Sequence, residues 1–183
     1  MEKKELRAAV KRLKQALTDD MKLEQSNQVF NYIESLPVFK EARTILLYHS
    51  LPDELPTHHI IKKWALEKQI FLPRVNGDDL DVVPLDAELT DDNQFHIFEP
   101  TGSKTISPET LDIIIVPAVA LDTQCNRMGR GKGFYDRLLN PLSHPYTIGI
   151  GFDCQIFDTI PCEPHDKRLN AVVTPDIKIV HNK

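Results

Sequence analysis

Several things are scarce in this chain, and each scarcity removes a class of protein. Only three cysteines occur in 183 residues, Cys125, Cys154 and Cys162, an odd number without C-x-x-C spacing. Neither a disulfide framework nor a zinc site is expected from them. No apolar run approaches the roughly 20 residues of a membrane span, and Met1-Glu2-Lys3-Lys4-Glu5 has no signal-peptide core. A cytoplasmic protein with no membrane partner is the expectation. Positive charge is also short: 22 Lys and Arg against 27 Asp and Glu give a formal net charge of −5, so no extended basic face stands ready for nucleic acid. Glycine is sparse as well, seven in all, yet three of the seven fall within residues 129–133.

That cluster is the most informative stretch of the chain: Asn126-Arg127-Met128-Gly129-Arg130-Gly131-Lys132-Gly133-Phe134-Tyr135-Asp136-Arg137. Glycines let the backbone approach a ligand closely, and Arg and Lys supply donors for phosphate or carboxylate oxygens. Four cations and one carboxylate between Arg127 and Arg137 leave a local balance of +3 in an acidic chain, so the expected guest is an anion. Two familiar phosphate motifs fail on spacing. A Walker A loop needs G-x-x-x-x-G-K-[ST], but Gly133 follows Gly131-Lys132 and Asn126 stands where the first glycine belongs. A dinucleotide fingerprint needs G-x-G-x-x-G, and the spacing here is G-x-G-x-G. What remains is a cationic glycine loop at a helix N-terminus, where unpaired N–H groups favour an anion. Asp136 is either an internal ion-pair partner or a magnesium ligand beside a polyphosphate, and Asp166, in Pro164-His165-Asp166-Lys167-Arg168, is either a plain loop residue or the second such carboxylate.

The remaining elements follow from periodicity. Residues 2 to about 18 read as an amphipathic helix on Leu6, Val10, Leu13 and Leu17, whose six cations, Lys3, Lys4, Arg7, Lys11, Arg12 and Lys14, either form a solvated face or send one or two members to the anion site. Asp19-Asp20 look like the cap of a second helix that stops at Pro37. Residues 44–49 form a nearly all-apolar strand, Thr57 caps a helix running to Lys68, and residues 70–72 form a strand closed by Pro73, one βαβ unit that places Glu54 and Arg74 near strand ends. Residues 76–110 are less regular: Asn76 to Asp79 read as a turn, Leu80 to Leu85 as a strand, and the rest as a covering segment in which Phe95 to Pro100 line a pocket, Phe95 as a ring for stacking. Residues 111–117 form the most apolar strand and the expected sheet centre, followed by a loop over 118–127, a helix over 134–139, a strand over 146–152 and a last one over 171–174. The expectation is one domain over 1–183, with N-terminal helices in 1–37 and an α/β body in 44–175: a three-layer α/β/α sandwich with a mostly parallel, Rossmann-like sheet and an N-terminal helical pair.

Laid out this way, the stretch from Asn126 to Asp136 closely resembles the signature of the 5-formyltetrahydrofolate cyclo-ligases, also called methenyltetrahydrofolate synthetases. The likeness runs on through the basic first helix, Ser50 to Thr57, Phe71-Leu72-Pro73-Arg74, Val116-Pro117 and the His165-Asp166 loop. The resemblance implies ATP- and magnesium-dependent conversion of 5-formyltetrahydrofolate to 5,10-methenyltetrahydrofolate by a monomer acting on small molecules. It implies ATP contacts from Lys3, Arg7 and the run Arg127, Met128, Gly129, Arg130, Gly131, Lys132, Gly133, Phe134 and Tyr135. It implies folate contacts from His49, Glu54, Phe95, Arg130, Gly131, Lys132, Gly133 and Phe134, magnesium on Asp136 and Asp166, and Arg130 and Lys132 as the catalytic cations. The sequence departs from the family pattern at Phe134, where many members have Tyr, and at Pro56, Asn170 and Pro175, where acidic residues are usual. Another ATP-dependent ligase or kinase on the same scaffold, or a folate- or nucleotide-binding module without turnover, are the alternatives.

Overall fold

The computed structural model describes residues 2–86, 88–91, 98–163 and 166–181. Helix α1 (Lys3–Lys14) opens the chain. Its N-terminus is closed by the Glu5 carboxylate, which accepts the Glu2 N–H at 3.1 Å, and Lys11, Arg12 and Lys14 in its last turn complement the helix dipole. Thr18, not the Asp pair, caps α2 (Asp19–Ser35), its Oγ1 accepting the Met21 N–H at 3.2 Å. Leu36 ends α2, and Pro37, whose missing N–H is harmless in a first turn, starts the short α3 (Pro37–Glu41).

The body then runs β1 (Thr44–Leu46), α4 (His58–Trp64), β2 (Gln69–Asn76), β3 (Asp79–Pro84), β4 (Leu89–Thr90), β5 (Glu99–Pro100), β6 (Ile113–Pro117), β7 (Ala120–Asp122), β8 (Arg127–Met128), α5 (Phe134–Leu139), β9 (Tyr146–Ile150), β10 (Ile156–Phe157), β11 (Ala171–Val173) and β12 (Lys178–Val180). Seven strands form the main sheet in the order β12-β11-β9-β6-β1-β2-β3. The five inner strands are parallel, and β3 and β12 close the two edges antiparallel.

Strand alternation divides the interior into two cores, one on each sheet face. Ile45, Ile70, Leu72, Ile113, Ile115, Ile148 and Ile150 pack with Phe30, Ile33 and Trp64 of the helices. Their neighbours Leu46, Phe71, Ile114, Val116 and Val172 point the other way, to Leu138 and Leu139 of α5. The continuous apolar run in β6 is explained by this burial on both faces, and β6 does stand at the centre.

The structure departs from the sequence reading at several places. Pro73 does not close β2. The Phe71 carbonyl accepts Leu47 N–H on the β1 side; Pro73 faces that side past the last β1 pair, Leu46 with Phe71, so its missing N–H ends the parallel ladder there while β2 runs on paired with β3. The segment 118–127 is no simple loop but contains β7, which with β8 and β10 makes a separate three-stranded sheet. A further strand, β12, follows β11, turned by the Thr174 N–H to Ile177 carbonyl bond of 2.8 Å.

Candidate functional site

The β7–β8 hairpin sets the glycine loop in place. Asp122, 1% exposed, is the hub: its carboxylate accepts the N–H groups of Gln124 and Asn126 at 2.9 Å, the Asn126 side-chain amide at 2.9 Å and the Ile160 N–H at 3.2 Å. Cys125 takes a positive φ of 63° inside that turn. Asn126, which stood where a Walker glycine was sought, is therefore a structural residue. Beneath the hairpin lies a third apolar cluster in which Leu6 and Val10 of α1 meet Val119, Ala120, Met128 and Ile160. Helix α1 thus docks on the hairpin that launches the loop. Met128, expected among nucleotide contacts, turns its side chain into this cluster and is 3% exposed.

Gly131 and Gly133 have φ of +95° and +72°, conformations that a side chain resists. A Cβ on Gly133 would also stand 2.5 Å from the Arg137 guanidinium. Arg7 donates from Nε to the Gly129 carbonyl at 2.9 Å, tying α1 to the loop. Arg127, its side chain 5% exposed, lies 5.5 Å over the Tyr135 ring. It donates to the Pro117 carbonyl at 3.2 Å and to Asp136 Oδ1 at 2.6 Å. Lys132 is exposed on the loop. Lys3 pairs with Glu163 at 2.8 Å and lies 3.6 Å from Asp166 Oδ2. The Glu163 hydrogen bond raises its ammonium above the ordinary lysine value against the opposing effect of burial.

Around the loop, at the carboxyl ends of β1 and β6 and along β2, lies a cavity of about 310 Å³, at the small end of ligand pockets. The β1–α4 loop supplies one wall. Ser50 and Thr57 staple that loop shut: Thr57 Oγ1 accepts the Ser50 N–H at 3.0 Å and donates to the Tyr48 carbonyl at 2.6 Å, and Ser50 Oγ accepts the Thr57 N–H at 3.0 Å. Thr57 is thus a loop clamp, with no side-chain cap bond to α4. Within the stapled loop the Glu54 carboxylate accepts the Leu51 N–H at 3.0 Å and Arg130 Nε and Nη2 at 3.2 and 3.1 Å. His49 lies stacked on His58, centroids 3.8 Å apart, and against Phe98 at 4.9 Å. Burial, helped by the His58 charge, pushes its imidazole down to about 4.

Of the expected residues, the cavity wall brings together His49, Glu54, Arg127, Gly129, Arg130, Gly131, Lys132, Gly133, Phe134, Tyr135 and Asp136. Arg7 lines an adjoining cleft of about 540 Å³ with Lys11, Lys14, Lys22, Asp53 and Arg130. Lys3 and Asp166 meet each other outside both linings. Phe95 lies outside the described residues. Arg74, a candidate by strand-end position, is committed to Asp81 at 3.1 Å and the Gly102 carbonyl at 2.6 Å and does not line the cavity.

One residue, Asp53, escaped the sequence reading; Glu99 falls in the stretch 95–100 read as lining a pocket, and Lys14 is one of the first-helix cations from which the anion site was expected to draw. Glu99, 6% exposed on the cavity wall, accepts the Val75 N–H at 2.8 Å, and burial pushes its carboxyl up. Asp53 and Lys14 are joined to the site by ion pairs. Tyr135 presents a different signal: its hydroxyl is buried with no hydrogen-bond partner among the described residues, and burial followed by the nearby Glu54 charge raises its pKa.

Comparison with known proteins places this geometry. The model of the 5-formyltetrahydrofolate cyclo-ligase family matches residues 1–175. The chain is 32% identical over 177 residues to the 5-formyltetrahydrofolate cyclo-ligase of Escherichia coli strain K12, covering 91% of this chain and 96% of the relative. It is 30% identical over 190 residues to the Mus musculus cyclo-ligase, covering 95% and 94%. The solved structure of Aquifex aeolicus 5,10-methenyltetrahydrofolate synthetase superposes with a TM-score of 0.89 at 30% identity, over 100% of this chain and 94% of that one. With its family model matched over residues 1–175 and relatives 30% or more identical over nine-tenths of its length, this chain belongs to the 5-formyltetrahydrofolate cyclo-ligase family.

Proposed function

We propose that this chain converts 5-formyltetrahydrofolate to 5,10-methenyltetrahydrofolate at the expense of ATP, releasing ADP and phosphate. The observation that carries the reading is that one loop, residues 129–134, walls the apolar cavity while its Arg130 also faces the cationic cleft beside α1. A heterocycle and a polyanion can therefore meet across a single stretch of backbone. In this reading the reduced pterin enters the cavity and its amino and ring N–H groups donate to Glu54, already held from behind by Leu51 N–H. The His49–Phe98 wall offers its aromatic faces to the ring.

The formyl oxygen takes the terminal phosphoryl group as its bond to ADP breaks, N10 attacks the activated carbon and gives its proton to solvent, and the carbon–oxygen bond breaks to release phosphate as the ring closes. Such a transfer needs alignment and charge neutralisation more than a covalent nucleophile. Lys132 and Arg130 supply positive charge on the loop, Arg7 supplies it from α1, and the exposed N–H groups of the loop add donors. Arg127, bonded to Pro117 and Asp136, holds the loop to the end of β6 and contributes its charge from behind. Asp136 and Asp166 offer carboxylate oxygens only, the donor type magnesium prefers, and both stand beside cations that a polyphosphate would attract. Among the described residues no cluster of three or more metal-ligating side chains forms, so magnesium would take one or two carboxylate oxygens here, from Asp136 or Asp166, with phosphate oxygens and water as its other ligands, and would neutralise charge on those phosphates.

The test is spectrophotometric. Purified protein, 5-formyltetrahydrofolate and MgATP are expected to give the methenyl chromophore, with no signal when ATP is omitted. No ATP-dependent chromophore at any substrate concentration would sink the reading.

A further inference from the structure

Arg130 lies between the two cavities and lines both. Its guanidinium is held by consecutive carboxylates: Nη2 reaches Asp53 Oδ1 at 2.5 Å, and Nε and Nη2 reach Glu54 Oε1 at 3.2 and 3.1 Å. The two carboxylates are anchored from behind by different groups. Lys14, only 6% exposed, donates from the last turn of α1 to the Asp53 carbonyl at 2.6 Å and to Asp53 Oδ2 at 2.8 Å. Glu54, 13% exposed, is held by Leu51 N–H.

Removing Asp53 from Lys14 would strand a buried ammonium, a costly state, whereas Arg130 is 45% exposed and can exchange partners with solvent or ligand. Arg130 is thus the movable member of the group. The Asp53 carboxyl is pushed up by burial, but hydrogen bonds from Lys14 and Arg130 outweigh that and hold it below its ordinary value, which keeps it charged as a catch for the guanidinium.

We propose that Asp53, anchored by Lys14, is a positioning residue that holds Arg130 against Glu54 in the ligand-free protein and thereby couples the two substrates. The Glu54 oxygen that Arg130 occupies is on the cavity wall where the folate heterocycle would need an acceptor. A polyphosphate that draws Arg130 toward itself vacates Glu54 Oε1, and a folate that takes this oxygen releases Arg130 to the polyphosphate. The coupling is reciprocal by thermodynamic necessity. This inference rests on the folate and ATP reading of the site, and it adds a side-chain exchange through which the two ligands help each other bind.

Calorimetry tests it. In the wild-type protein a non-hydrolysable MgATP analogue is expected to tighten 5-formyltetrahydrofolate by roughly five-fold or more, and the folate to tighten the analogue by the same factor. In Asp53→Asn this factor is expected to fall below about two-fold, with partial return in Asp53→Glu. A merely structural role for Asp53 would shift melting temperature and leave the factor unchanged. Should Asp53→Asn fail to fold, Lys14→Arg, which keeps a cation behind Asp53, is expected to retain the coupling, and Lys14→Met to lose it. Absence of coupling in the wild type, or coupling that survives Asp53→Asn and Lys14→Met, would overturn the proposal. A readout independent of folate and turnover is the arginine side-chain ¹H–¹⁵Nε spectrum. The Arg130 signal is expected to shift on adding inorganic triphosphate and to broaden in Asp53→Asn before any ligand is added; no change in either case counts against the proposal. A wild-type protein that shows the coupling but makes no methenyl product would refute the catalytic reading and leave the positioning claim standing.

Discussion

Two side chains in the cavity wall lie far from their ordinary protonation or bonding state, and each makes a prediction of its own. His49, at about 4, is neutral in the fold and an ordinary histidine in the unfolded chain. Between those values the unfolded state binds more protons, so stability is full above about pH 6.5 and declines as the pH falls toward 4. His49→Gln is expected to flatten part of that slope when urea midpoints at pH 5 and pH 7 are compared; an unchanged slope would place the titrating group elsewhere. Tyr135 carries a buried donor with no acceptor among the described residues, a state that costs about 1–3 kcal/mol. Tyr135→Phe is expected to stabilise the ligand-free protein by up to about that amount. If the substrate supplies the missing acceptor, the same change weakens its binding. A lower unfolding midpoint for Tyr135→Phe would show that the hydroxyl has a protein partner after all.

At the level of elements, the glycine loop depends on two supports, its own backbone and α1. Gly133→Ala forces a side chain into a left-handed conformation costing about 1–2 kcal/mol, and the new Cβ must displace Arg137, which bonds the Asp78 carbonyl. Turnover is expected to fall far more than stability, since α5 begins at the next residue; equal losses would mean that the loop conformation is not needed for activity. Helix α1 is held by Leu6 and Val10 on the hairpin cluster. Leu6→Ala, at a position 3% exposed, is expected to cost about 2–5 kcal/mol. Because Arg7 hangs from that helix, titration should show nucleotide affinity reduced more than folate affinity. The hairpin itself was not legible in the sequence. Ala120-Leu121-Asp122 and Arg127-Met128 are too short to show period-two alternation, and their pairing depends on Asp122 accepting bonds from residues up to Ile160. β12 was hidden for a related reason: Lys178-Ile179-Val180 is a half-exposed edge strand, and its composition reads as polar tail. By contrast β6, buried on both faces, carries its position in its composition.

At the scale of the whole molecule, the mostly parallel sheet and the central place of β6 were readable because strand burial leaves a local signature, whereas the full strand order and the antiparallel edges β3 and β12 were not. The site was readable only where its residues are contiguous. The loop from Arg127 to Asp136 lines the cavity with the exception of Met128, but Asp53 and Lys14 join it through pairs 77 and 39 residues apart in the chain, and no local pattern announces such a pairing. A site assembled from α1, the β1–α4 loop and the glycine loop should also stabilise the entire fold when filled. MgATP and folate together at about 100 times their dissociation constants are expected to add about 2.7 kcal/mol per ligand, plus whatever coupling Arg130 provides. A melting temperature indifferent to both would show that neither binds the native state.

The docking of α1 has a practical consequence for handling the protein. Glu2 and Lys3 begin the helix beside Glu163 and Asp166, so an affinity tag fused ahead of Glu2 would emerge next to the carboxylate proposed for magnesium. β12 lies at the opposite edge of the sheet from β2 and its neighbour β3. A tag placed after it leaves the cavity mouth clear, and the C-terminal fusion is the form in which binding constants should be measured.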